Sequence, residues 1–160
     1  MSTKPIKVDQ ILFKASNWTQ KLLLLFFRLN WGWQFWQAGQ GKFNNHHKVT
    51  EFFSSLHLPF PDWTAWLVAF VECVGGLCLM AGFASRPVGL ILTINMIVAY
   101  MSVESDRQAM FNFFKNQTPF LQADPFFFLL TALLVFCFGA GSISADAILA
   151  KWAKRKKHKE

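Results

Sequence analysis

Four apolar stretches, Leu22 to Gly39, Trp63 to Ala84, Pro87 to Val103 and Pro125 to Ile143, limit what this chain can fold into. They hold 18, 22, 17 and 19 residues. As helices rising about 1.5 Å per residue, each approaches or reaches the roughly 30 Å of a hydrocarbon core, the shorter ones with help from interfacial flanks. Hydrophobic residues make up 53% of only 160, which is more than one soluble core of that size absorbs. A soluble bundle of hydrophobic helices is the competing reading. Such helices keep a polar face, however, and from Trp63 to Ala84 the one charged residue is Glu72. A cleaved signal peptide is disfavoured because Arg28 interrupts the first stretch and the stretch runs long. The expectation is an all-α integral membrane four-helix bundle. It forms a single membrane domain over 1–160, with spans at about 22–39, 63–84, 87–103 and 125–143 joined by short amphipathic external connections.

Charge orients that bundle. Lys4, Lys7, Lys14, Lys21, Arg86, Lys151, Lys154, Arg155, Lys156, Lys157 and Lys159 fall on one side, and only Lys42, Lys48, Arg107 and Lys115 on the other. The positive-inside rule then places both termini in the cytoplasm. The net charge of +7 needs no nucleic acid to explain it. The basic tail 151–160, "KWAKRKKHKE", is read as an orienting segment that meets anionic lipid rather than as a nucleic-acid patch. Both external connections carry many Phe residues and are expected to lie on the membrane surface or cap the bundle.

Glu72 lies about nine residues, or roughly 13 Å, inside the outer boundary of its stretch. A carboxylate at that depth costs several kcal/mol unless it is paired, hydrated or protonated. On helical spacing it shares a stripe with Gly75, Gly76, Leu79 and Phe83, and the two glycines let a neighbouring backbone approach. It is expected to point inward. Depth alone nominates Gln34 and Tyr100 as its partners, with Arg28 reaching from the cytoplasmic side and Lys42 from the outer side. The polar cluster Glu72, Arg28, Gln34, Tyr100 and Lys42 is the candidate site, for a ligand, a proton or redox work. The alternative is a neutral acid that only locks helices together. Asn95 stands out in the third stretch and is read as an interhelical hydrogen bond.

Other chemistry is less marked. Cys73 and Cys78 are five residues apart, about 140° round a helix, so they do not bridge each other. Pairing of either with Cys137 stays open, and buried small hydrophobes are the better reading. His46, His47 and His57 lack metal-ligand spacing, and no metal site is assigned. No catalytic residue is assigned, and no phosphate loop, dinucleotide fingerprint or nucleophile elbow is present.

The segments "RLNWGWQFWQAGQGKF", "FFSSLHLPFPDWTAWLVAFVECVGGLCLMAGFASRPVGLIL", "DPFFFLL" and "GAGSISAD" together resemble the DoxX family of four-helix membrane proteins, over about Arg28 to Asp146. The resemblance implies motif roles for Arg28, Gly32, Gly39 and Lys42; for Glu72, Gly75, Gly76, Gly82 and Arg86; and for Asp124, Pro125 and Asp146. It implies association with redox functions, since one relative is a subunit of a thiosulfate:quinone oxidoreductase and others join membrane oxidoreductase complexes. On that basis the expected function is a redox-associated accessory subunit of the bacterial inner membrane. Quinone is a cofactor on the strength of the resemblance alone. The expected partners are the lipid bilayer, oxidoreductase subunits and a second copy in a homo-oligomer. A non-catalytic scaffold is the alternative, and a small transporter a weaker one.

Overall fold

The computed structural model describes residues 7–157 and is all-helical over them. Lys4 and Lys159 of the charge balance lie outside the described residues. Eight helices follow in order: α1 (Lys7–Asn44), α2 (His46–Ser55), α3 (Pro61–Ala81), α4 (Ser85–Ser102), α5 (Glu104–Phe111), α6 (Thr118–Gln122), α7 (Pro125–Phe138) and α8 (Ala145–Lys157). The first apolar stretch is therefore one part of a 38-residue helix. The external connections are themselves helical.

Local chemistry explains the breaks. The helix breaks at Asn45 (φ −118°, ψ 35°), whose N–H makes the last bond of α1, to the Gly41 carbonyl (3.1 Å), and whose carbonyl accepts the first of α2, from the Val49 N–H (3.1 Å). Pro61 opens α3, where its missing N–H leaves nothing unsatisfied. Gly82 closes α3 in the left-handed region (φ 65°). The Phe83 N–H bonds the Cys78 carbonyl (3.0 Å) and the Gly82 N–H that of Leu79 (3.1 Å), the paired bonds of a Schellman stop. Val103, extended at φ −90° and ψ 123°, turns α5 off α4 by 103°. Gly139 (φ 72°) ends α7 after 14 residues, so the fourth helix stops five residues before the expected Ile143 boundary.

α1 lies along α3 and α4 along α7, while α3 also meets α4 and α1 meets α7. Phe35, Leu79, Leu92, Met96, Ala132 and Val135 meet at the centre. Outside that centre, large apolar side chains stay exposed on α3 (Phe70, Leu77), α4 (Ile91, Ile94, Ile97) and α7 (Leu133, Phe136). Among the described residues α3 is the one helix that is by itself long and apolar enough to cross a membrane. α4 meets that test only together with α5 across the bend, and α7 is apolar but short. On the far side of the α4 bend, Tyr100 stacks on Phe120 (4.9 Å), which also meets Phe113 and Phe126 edge-on, so the α5–α6 segment caps this end.

Candidate functional site

The site begins with how closely α1 and α3 approach. A Cβ on Gly39 would fall 2.6 Å from the Cys73 amide nitrogen, and one on Gly76 would fall 2.5 Å from the Gly32 carbonyl oxygen. Two facing glycines thus bring the helix backbones into contact, as small residues do where helices pack without a hydrophobic drive. Lys42, three residues past Gly39, is thereby carried over Glu72.

Glu72 is buried, at 4% exposure. The Lys42 ammonium donates to its Oε2 at 2.5 Å, and the Asn95 amide of α4 donates to Oε1 in a long bond of 3.4 Å. Three helices therefore meet on one carboxylate. The Lys42 side chain keeps 26% of its surface exposed, so the pair has one enclosed member and one that reaches outward. Beside it the Cys73 thiol donates to the Trp36 carbonyl (3.6 Å).

The other nominated residues are elsewhere. Arg28 is buried, but its guanidinium serves a different end of the molecule. Nε donates to Leu79 O (2.9 Å), Nη2 to Met80 O (3.1 Å), and Nη1 to Ile143 O (3.0 Å) and Ala140 O. These carbonyls belong to the last turn of α3 and the bend after α7, where a helix end leaves acceptors unfilled and favours a cation. Gln34 is on an exposed face of α1. Tyr100 is buried and donates its hydroxyl to Phe120 O (2.9 Å). Gln34 is turned out of the site by its rotation about α1, while Arg28 and Tyr100 are bound towards opposite ends of the bundle.

Asp146 completes the Arg28 end. Its carboxylate accepts from the Ala84 amide (2.8 Å), the Ser85 amide (2.9 Å) and the Ser85 hydroxyl (2.6 Å). It is an N-terminal cap for α4 supplied from α8. Burial pushes its carboxyl up, but the Ser85 and Ala84 donors, with the Arg28 charge, outweigh that and hold it below the usual carboxylate range. Gly82 is fixed between the two groups, since a Cβ there would meet the Arg28 guanidinium and its carbonyl accepts from the Asp146 amide (3.0 Å). Of the remaining motif positions, Gly75 packs on Leu92, Gly32 on Met80, and Arg86 and Asp124 are exposed.

The thiols Cys73, Cys78 and Cys137 are free, with Cys137 on an exposed face of α7. His46 is half-buried and pairs with Asp62 (2.8 Å), while His47 is exposed beside Glu51. Among the described residues no three His, Cys, Asp or Glu side chains gather as a metal would need.

The DoxX family model matches residues 23–105, just over half of the chain. The chain belongs to the DoxX family. That match contains Arg28, Lys42, Glu72 and Asn95, whereas Asp124 and Asp146 lie beyond it. A membrane location is consistent with this family. The chain is similar to the Bacillus subtilis protein named "Putative oxidoreductase CatD", at 27% identity over 81% of this chain and 89% of that one. It is also similar to an uncharacterized protein of Haemophilus influenzae, at 29% identity over 80% of this chain and 83% of the other. No solved structure matches the chain.

Asn95, read from the sequence as an interhelical hydrogen bond, makes one to Glu72 but was not placed in the candidate site, and the donors at Ala84 and Ser85 were not nominated at all. Asn95 did carry a signal, as a lone amide in an apolar helix. Backbone amides carry none.

Proposed function

We propose that this DoxX protein is an accessory subunit of a membrane oxidoreductase, a four-helix transmembrane bundle whose Lys42–Glu72–Asn95 site exchanges a proton with a quinone or similar small molecule. The observation that carries this reading is the 2.5 Å pair between buried Glu72 and outward-reaching Lys42. An ionisable group kept within an apolar span is a functional candidate by default, and this one has an amine beside it to receive or return a proton. The donor set fits a quinone, whose carbonyl oxygens take up protons on reduction. Lys42 would donate to such an oxygen, and Glu72 would hold the proton. The relative named as an oxidoreductase supports the redox half of the reading. Electrons would come from a partner subunit.

In this topology α3, α4, α7 and the 22–39 part of α1 cross the bacterial inner membrane, with both termini in the cytoplasm. The apolar outer faces of α3, α4 and α7 support the crossing. The basic residues gathered near the termini support the orientation.

The test is Glu72→Gln. Glutamine keeps the shape and the hydrogen-bonding reach but cannot ionise, so the variant should accumulate in membranes at the wild-type level and fail to complement a deletion strain. Full complementation would assign the protein to the scaffold class instead.

A further inference from the structure

We propose that α8 is an in-plane membrane helix whose basic edge binds anionic phospholipid headgroups at the inner face of the bilayer. The proposal rests on the topology given above, in which α3 and α4 cross the membrane and are joined at their inner ends.

Asp146 fixes where this helix starts. Its carboxylate accepts from the Ala84 and Ser85 amides at the opening of α4, and its own amide donates to the Gly82 carbonyl at the close of α3. Those residues form the turn between two spans, so the first turn of α8 is held at the level of the membrane boundary. Past that turn Ile148, Leu149, Lys151, Trp152, Lys154 and Arg155 are all exposed.

The 13 residues of α8 carry it about 20 Å from that anchor, and the arrangement of its side chains decides which way it can run. At about 100° per residue, Ile148, Trp152 and Leu149 share one arc about 100° wide. They are 68%, 73% and 51% exposed. Lys154, Lys151 and Arg155 fill the adjoining arc, with Arg155 only about 20° from Ile148. The single acid of the helix, Asp146, is spent on α4. A helix that projected straight into the cytoplasm would leave the isoleucine, leucine and tryptophan in water. Lying in the boundary plane, it sinks that arc among the acyl chains and sets the three cations against headgroup phosphates, the seat of a basic amphipathic helix. Their long stems allow the charges to stay at the surface while the backbone sinks, and an indole prefers that layer.

The two arcs together select the occupant. A neutral lipid surface takes the apolar arc and leaves three cations unmatched, while a nucleic acid matches the cations and leaves the apolar arc wet. Anionic lipid satisfies both.

The experiment places the full chain in nanodiscs of phosphatidylcholine alone, or of equal parts phosphatidylcholine and phosphatidylglycerol, and follows amide exchange across 145–157 by mass spectrometry. Opening the helix scatters both arcs, so lipid contact registers as slower exchange. Each basic residue at an anionic surface is worth about a factor of five, so phosphatidylglycerol should slow exchange in α8 by about 10²-fold. Salt at about 1 M, where the screening length falls to about 3 Å, should remove most of that difference in the unaltered protein. Lys151→Gln/Lys154→Gln/Arg155→Gln should exchange alike in both discs while the amides of α3 stay as slow as in the wild type, and Trp152→Ser should exchange faster in both. Equal exchange of the wild type in the two discs, a difference that survives salt or the triple substitution, or a Trp152→Ser protein that exchanges like the wild type overturns the proposal. So does protection that appears only when an RNA oligonucleotide is added, which would assign the basic edge to nucleic acid. A chain that enters neither disc overturns the membrane topology itself.

Discussion

Two buried charges sit at opposite ends of the α1–α3 contact, and they are held in opposite ways. Arg28 is enclosed by carbonyls of α3 and the bend after α7, and Asp146 beside it is filled by two amides and a hydroxyl. Its partners are mostly backbone, which cannot change charge or swing away. Glu72 is held by side chains alone, one of them a half-buried lysine and the other a long amide bond. A group fixed by backbone resists change. A group held by a titratable side chain has two states within reach. The same burial therefore makes a clasp at one end and a site at the other.

That contrast is broken most easily at Arg28. Arg28→Met removes the donors to Leu79, Met80, Ala140 and Ile143 together and leaves buried carbonyls without partners. The expected loss is about 3 to 5 kcal/mol, read as a large drop in thermal midpoint in detergent and in membrane abundance. Lysine should not rescue it, because one ammonium cannot span acceptors on two elements. A stable Arg28→Met protein would mean that the clasp is ornamental and that burial alone separates the two ends.

The sequence made part of this contrast readable. The depth of Glu72 and the small-residue stripe beside it follow from spacing along one helix, and they led to the carboxylate and to Lys42. Arg28 was misplaced because its acceptors are main-chain carbonyls, which every residue carries and no pattern marks. Gln34 and Tyr100 were chosen by depth, but rotation about α1, fixed by its close approach to α3, turns Gln34 outward, and Tyr100 lies five residues, about 7.5 Å, beyond Asn95, which takes the contact from α4. The fold divides similarly. The apolar stretches predicted the helices of the centre, while the 103° bend at Val103 and the stop at Gly139 rest on local dihedrals that hydropathy does not encode.

A smaller effect is expected at Asp146, and it carries a pH signature. Its carboxyl is held below the ordinary range in the folded state, by donors that outweigh the opposing effect of burial. The folded form therefore favours the ionised group. The stability this confers is complete above the unfolded carboxylate range, about 4, and is lost as pH falls through the lower folded value. Asp146→Asn should cost roughly 1 to 3 kcal/mol at neutral pH and remove that part of the acid sensitivity. Thermal midpoints of both proteins measured from neutral to acid pH check this. Parallel curves would show that Asp146 contributes shape and no charge.

The smallest effect on stability should come from the residue with the largest effect on function. Glu72→Gln keeps a carbonyl for Lys42, and its NH2 can donate to the Asn95 carbonyl once that amide flips, so the folded state should lose less than about 1 kcal/mol. Against it stands Glu72→Leu, which leaves Lys42 and Asn95 facing an apolar side chain and should lose about 1 to 3 kcal/mol by stranding them. Comparing the two separates hydrogen bonding from ionisation at a single position. If Gln is as destabilised as Arg28→Met, Glu72 is a second clasp, and the two ends of the molecule differ in nothing but the sign of the charge they bury. If Gln melts like the wild type and is inactive, then the group that this helix carries into its apolar core is kept for its proton.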